Sequence, residues 1–205
     1  MYVLDSTTVI YSASDLSAAA RCEWALMRTL DGRLGRINRV LEREDAMLRR
    51  TAELGDEHEL RMLERLRATR AVVEIARPAY GIDPLLAVEQ SESALRAGAE
   101  VVYQAAFFDG RFLGYADFII RDPTTSTYEV YDTKLARTAK VTALLQLAAY
   151  SDQLLREGIP VGDLVHVVLG DGRTSSHRLQ DILPVYRQRR ARLELLIDEL
   201  SLIHI

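Results

Sequence analysis

The chain has 205 residues, 48% of them apolar, a formal net charge of -4 and one cysteine. That length supports a single domain with its own core, one cysteine excludes a disulfide framework, and the mild acidity argues against a protein whose only task is to coat nucleic acid. No apolar run is long enough to span a bilayer and the first residues lack a basic-then-apolar leader pattern, so a cytoplasmic protein with no membrane partner is expected.

Met1 to Thr8 is short, β-branched and polar. Tyr11-Ser12-Ala13-Ser14-Asp15 then offers caps for a helix from Leu16 to Leu30, which ends near Asp31-Gly32. A long charged helical pattern follows from Arg36 to about Ala68, with Leu41, Met47, Leu48, Leu54, Leu60, Leu63 and Leu66 at helical spacing. Gly55, inside it, costs roughly 1 kcal/mol relative to alanine, so it marks either a break into two helices or a close approach to the backbone. His58 lies one turn beyond. Arg36, Arg39, Arg43, Arg49 and Arg50 form a basic cluster, but Glu42, Glu44 and Asp45 interleave it, and the first reading is a solvated helix face.

Ala71 to Ala76 reads as a strand, Pro78 to Pro84 as a loop, and Leu85 to Ala97 as an amphipathic helix closed by Gly98. Asp109-Gly110 divides the apolar stretches Glu100 to Phe108 and Arg111 to Arg121, a strong hairpin signal. Thr127 to Leu135 is a third strand, Val141 to Arg156 a helix, and Leu164 to Leu169 a fourth strand. Asp171-Gly172 turns into a fifth strand through Leu179, and Ile182 to Leu200 is a final helix. The order implies one α/β domain with a mixed sheet and helices on its faces: a helical layer over about 14–69, a core over about 71–180, and the last helix over about 182–200. The abrupt end at Ser201 to Ile205 reads as part of a longer protein.

Asp132 and Lys134 sit two apart on the third strand, so both side chains project from one face. Another carboxylate, Asp117, interrupts an apolar strand. If those strands are neighbours, Asp117, Asp132 and the backbone carbonyl of Thr133 suffice to hold Mg2+ or Mn2+, which supplies most of what phosphodiester hydrolysis needs. Lys134 would orient the attacking water or stabilise the charged transition state, and His58 could add an imidazole ligand. Gln146 and Tyr150, four apart on a helix, share a face and could hold a phosphate or stack on a base. Each feature alone has an ordinary reading: a surface ion pair, a strand-end aspartate, a structural histidine, two helix residues. The functional case rests on their joint occurrence.

Together, Gly55-Asp56-Glu57-His58-Glu59, Gly114-Tyr115-Ala116-Asp117, Asp132-Thr133-Lys134 and Gln146-Leu147-Ala148-Ala149-Tyr150 resemble the RecB-like branch of the PD-(D/E)XK nuclease superfamily. The resemblance spans Tyr11 to about Arg156. It implies a restriction-endonuclease-like fold and a Mg2+- or Mn2+-dependent DNA nuclease, of exonuclease type, serving as the nuclease module of a DNA repair or recombination helicase. On it, His58, Asp117 and Asp132 are metal ligands, Lys134 is the catalytic lysine, and Gln146 with Tyr150 lies near the DNA. Many relatives, CRISPR-associated exonucleases among them, hold an iron-sulfur cluster on four cysteines. Cys22 stands where the first would be, but a cluster cannot close within this chain alone. Either further ligands lie beyond Ile205 or Cys22 is a small buried apolar residue. The alternative reading is a nuclease-like domain that binds nucleic acid or a helicase partner without cutting.

Overall fold

The structure is a computed structural model that describes residues 1–3, 8–38, 45–78 and 83–202. Near the N-terminus, β1 (Tyr2–Val3) and β2 (Val9–Ile10) form a small antiparallel pair that the sequence did not announce. The expected single first helix is two, α1 (Ala13–Arg21) and α2 (Glu23–Arg33). The break is at Cys22, whose backbone is extended (φ -160°, ψ 103°) and ends one helix while starting the next. The α1 entry is a capping box: Ser12 Oγ accepts from the Asp15 amide, and the Asp15 carboxylate accepts from the Ser12 amide.

The next helix, α3 (Ala46–Arg67), starts ten residues later than the periodicity predicts, at an Asp45 cap that accepts from the Met47 and Leu48 amides. Gly55 does not break it, and a Cβ built there meets nothing within 4 Å. Only His58, Met62 and Leu63 of this helix are buried, while Met47 is 78% exposed and Leu48, Leu54 and Leu60 are also exposed. Leu41, Arg39 and Arg43 lie outside the described residues. Arg36 pairs with Asp31 at 3.5 Å and Arg50 with Glu53 at 3.1 Å, as a solvated face would.

Beyond α3 come β3 (Val72–Glu74), α4 (Leu85–Arg96), β4 (Val101–Phe108), β5 (Leu113–Arg121), β6 (Tyr128–Lys134), α5 (Val141–Arg156), β7 (Val161–Leu169), β8 (Thr174–Arg178) and α6 (Leu179–Leu202). β7 starts three residues earlier than predicted, and Leu179 is helical. The six strands from β3 to β8 form one mixed sheet in chain order. β3 runs parallel to β4 and β6 to β7, and the other neighbours are antiparallel. The parallel β6/β7 pair needs a crossover, which α5 provides.

Strand alternation sorts the core into two layers. On one face Val102, Ile119, Val130 and Val167 join Leu16, Leu147 and Leu193 of α1, α5 and α6. On the other, Val101, Phe118, Ile120 and Val168 meet Met62 and Leu63 of α3. The chain is thus an α/β domain whose mixed sheet carries helices on both faces, and among the described residues no helix is long and apolar enough to cross a membrane.

Candidate active site

β5 and β6 pair from Arg121 and Tyr128 as far as Phe118 and Tyr131, and part beyond that point. Asp117 and Asp132 are the next residues, so two carboxylates occupy the mouth of an opening ladder. By alternation with Ile119 and Val130, both side chains lie on the α5 side of the sheet. The opening continues into β4: Gln104 would pair with Asp117 in the register set by Tyr103/Phe118 and Ala105/Ala116, but instead takes a left-handed φ of 56°. That conformation is strained for a non-glycine residue.

The Thr133 amide donates to Asp117 Oδ2 at 3.2 Å, filling the place of the missing ladder bond. A strand residue turns its N–H and its C=O toward the same neighbour, so the Thr133 carbonyl also faces the side of β5. Lys134 Nζ donates to Asp132 Oδ1 at 2.7 Å, and the same-face expectation for this pair holds. Asp132 is 6% exposed, and its Oδ2 is buried without a donor among the described residues. Burial, reinforced by the neighbouring Asp132, lifts the Asp117 carboxyl from 3.8 to about 7. Burial also raises Asp132, against the pull of Lys134. Among the described residues, two buried acids therefore share the ammonium of Lys134. A divalent cation held by Asp117 and Asp132 would satisfy the orphaned oxygen and displace the proton that burial favours, so these two residues fit such an ion.

His58 does not join them. It is 3% exposed, and its Nε2 lies 3.2 Å from the Val168 carbonyl on β7, on the α3 side of the sheet. There it pins α3 to the sheet. Among the described residues no group of three or more histidine, cysteine, aspartate or glutamate side chains is assembled to hold a metal. The third acid near the pair is instead Glu59, which sequence reasoning passed over. It accepts from the Tyr103 hydroxyl at 2.8 Å and from Gln104 Nε2 at 2.5 Å. Burial raises its pKa, with Asp117 adding to the effect. One of two glutamates in the acidic run Asp56 to Glu59, it gave no signal. Gln104, an amide within the apolar stretch Val101 to Phe108, was the visible anomaly.

Gln146 and Tyr150 of α5 line the same cavity as Asp117, Asp132 and Lys134, a space of about 340 Å³. The Tyr150 ring is not free to stack on a base. Phe107 and Phe112 pack against it at 6.2 and 6.1 Å between centroids, and a Cβ on Gly114 would come within 2.7 Å of its Cε1. The hydroxyl is what Tyr150 offers, and burial with the two aspartates holds its pKa well above the ordinary value.

No protein-family model matches the chain, and no curated protein shows significant similarity to it. The site therefore stands on its own geometry. Cys22, at the junction of α1 and α2, is exposed, which removes the buried-apolar reading of that residue.

Proposed function

We propose that the chain is a divalent-metal-dependent deoxyribonuclease domain of the RecB-like PD-(D/E)XK type, acting in the cytoplasm as an exonuclease module beside a helicase. The observation that carries this reading is the carboxylate pair at the β5/β6 opening: among the described residues Asp132 Oδ2 has no donor, burial beside Asp132 pushes the Asp117 carboxyl up, and Lys134 stands on Asp132. The mixed sheet with an N-terminal helical layer supports it. So does the distribution of the motifs, with Gly55 and His58 on α3, Gly114 and Asp117 on β5, Asp132 and Lys134 on β6, and Gln146 and Tyr150 on α5.

Asp117, Asp132 and the Thr133 carbonyl would hold Mg2+ or Mn2+, which when bound lowers the pKa of a water and neutralises phosphate charge. Lys134 works against the burial that raises the Asp132 carboxyl and, partly exposed, presents its ammonium to the cavity, where a phosphate oxygen gains charge in the transition state. Gln146 and the Tyr150 hydroxyl supply polar contacts on the opposite wall. The test is cleavage of single- and double-stranded DNA in Mg2+ or Mn2+ by the wild type, Asp132→Ala and Lys134→Ala. Activity in the wild type alone is expected, and equal activity in all three overturns the assignment.

One observation favours a second reading, a nuclease-like domain that binds DNA or a helicase without cutting: the His58 imidazole is spent on the Val168 carbonyl. That reading predicts salt-dependent DNA affinity with no products in either metal.

A further inference from the structure

The cavity that holds the carboxylate pair has another wall, and its chemistry is of opposite sign. It is made by the first turn of α1 (Ser12, Ala13, Ser14), by Arg33 at the end of α2, and by Arg77 after β3. Most of the arginines around the fold are neutralised by carboxylates, as Arg28, Arg67, Arg96 and Arg192 are. Arg33 and Arg77 have no carboxylate partner among the described residues, and both are exposed. The acid nearest this wall in sequence, Asp15, is already compensated: the Met1 ammonium donates to its Oδ2 at 2.6 Å, and Ser12 Oγ does so at 2.7 Å.

The arginine on β5's side is also preorganised. The Arg77 guanidinium lies 4.7 Å over the ring of Tyr115, two residues before Asp117 on β5 and on the same face. Two residues of strand span about 7 Å, so Arg77 stands one side-chain position from the carboxylates. Stacking leaves the edge of the guanidinium fork available for a planar set of acceptors, for which arginine suits phosphate better than lysine. The capping box already engages the Ser12 and Asp15 amides, so the first turn of α1 adds the Ala13 and Ser14 amides and the positive end of the helix dipole, and the exposed Ser14 hydroxyl adds a further donor.

We propose that Arg33, Arg77 and the first turn of α1 form a phosphate subsite that holds a nucleic-acid strand by a phosphate other than the one placed at Asp117 and Asp132. This rests on the nuclease reading of the carboxylate pair. The phosphate comes either from an internal phosphodiester or from a strand end, and both present the same oxygens to this wall.

The test is fluorescence anisotropy of labelled single-stranded oligodeoxynucleotides in Ca2+, with the unlabelled end either phosphorylated or bearing a hydroxyl. The proteins are the wild type, Arg33→Ala/Arg77→Ala, Arg33→Lys/Arg77→Lys, and Arg173→Ala as an ion-paired control at the β7/β8 turn. Circular dichroism melts establish that each is folded. The double alanine variant is expected to bind at least tenfold more weakly, and its plot of log affinity against log salt should be shallower by about 0.7 for each phosphate that the arginines no longer neutralise. The double lysine variant should recover part of the affinity, and the control should match the wild type. A loss confined to the phosphorylated oligonucleotide assigns the subsite to a strand end; a loss on both assigns it to an internal phosphodiester. Unchanged affinity and slope in a folded double alanine variant overturn the subsite.

Cleavage in Mg2+, measured alongside, separates the two ideas. A wild type that cuts while the double alanine variant binds normally removes the subsite and leaves the nuclease. A wild type whose binding depends on both arginines but which never cuts removes the nuclease and leaves the subsite. A wild type that binds no oligonucleotide removes the subsite.

Discussion

Asp117 is the residue on which stability and function pull in opposite directions. Burial and the neighbouring Asp132 push its carboxyl up to about 7 in the fold, from 3.8 when unfolded. Between those values the folded chain binds the extra proton, so Asp117 favours folding fully below about pH 4 and loses that contribution as pH rises through 7. Asparagine keeps the shape and can still accept from the Thr133 amide. Asp117→Asn should therefore match the wild type near pH 4 and exceed it by on the order of 1–3 kcal/mol at pH 8, measured by urea unfolding across that range. Adding Mg2+ should raise the wild-type midpoint and leave the variant unmoved, since a cation needs the ionised form. A pH-independent difference between the two would refute the raised pKa of the buried Asp117 carboxyl. Lys134→Met tests the partner: Asp132 loses the ammonium bonded to it, so the fold should weaken by about 1–3 kcal/mol at pH 8, and cleavage should fall by about 10²–10⁴. Retained cleavage would remove Lys134 from the chemistry.

At the scale of single elements, two glycines that look alike in sequence separate cleanly. Gly114 on β5 runs beneath the Tyr150 ring, where a Cβ would sit 2.7 Å from Cε1 and 2.8 Å from Phe112 Cζ. Gly114→Ala should thus displace the ring, costing about 1–3 kcal/mol and moving the hydroxyl off the cavity. Gly55 on α3 meets nothing, so Gly55→Ala should stabilise by about 0.5–1 kcal/mol. If that variant instead lost DNA binding without losing stability, the close approach at Gly55 would be to substrate. The hairpin, α5 and the last helix were legible because turn residues and periodicity are local signals: Asp109-Gly110 in the hairpin and Gly158 just after α5 carry them. The break at Cys22 was not, because extended backbone at one residue leaves the apolar pattern of α1 and α2 nearly continuous. The start of α3 was missed because the charged residues before Asp45 continue a helical pattern in the sequence, whereas the Asp45 side chain caps the helix. Asp117, Asp132 and Lys134 were legible as charges inside apolar strands. Glu59 was not, since its role depends on which face of α3 meets Gln104, and His58 misled because burial against a backbone carbonyl looks the same in sequence as ligation.

Across the whole molecule, the site is framed by a buried ionic network on the other side of α5. Arg190 of α6, 7% exposed, donates to Asp109 Oδ2 at 2.7 Å and to Glu194 Oε1 at 2.9 Å, and lies 4.0 Å from Asp152. Gln153 also donates to Asp109 at 3.0 Å, while Arg156 and Arg187 hold Asp152 at 2.8 and 2.9 Å. The Tyr11 hydroxyl bonds to Glu194, and its backbone is bonded to Arg111 and Leu113 at the start of β5. The hairpin turn, α5, α6 and the N-terminal segment are thus tied at one point, and they carry Gly114, Tyr150 and the α1 wall of the cavity. Burial works against ionisation of Asp109, but Gln153, the Phe112 amide and Arg190 hold its carboxyl below the ordinary value. Its contribution is accordingly present above the unfolded pKa and is lost as pH falls through the folded one. Arg190→Met keeps the volume and removes the charge, taking the cation from Asp109 and Glu194 while Arg156 and Arg187 still hold Asp152, and should destabilise by about 3–5 kcal/mol at pH 7. The loss should shrink in acid as those carboxylates protonate, and Asp109→Asn added to Arg190→Met should restore part of it. Thermal melts at pH 7 and pH 4 decide the matter. A variant that melts with the wild type at pH 7 would mean that apolar packing alone docks α6, and that the network is incidental to the frame around the site.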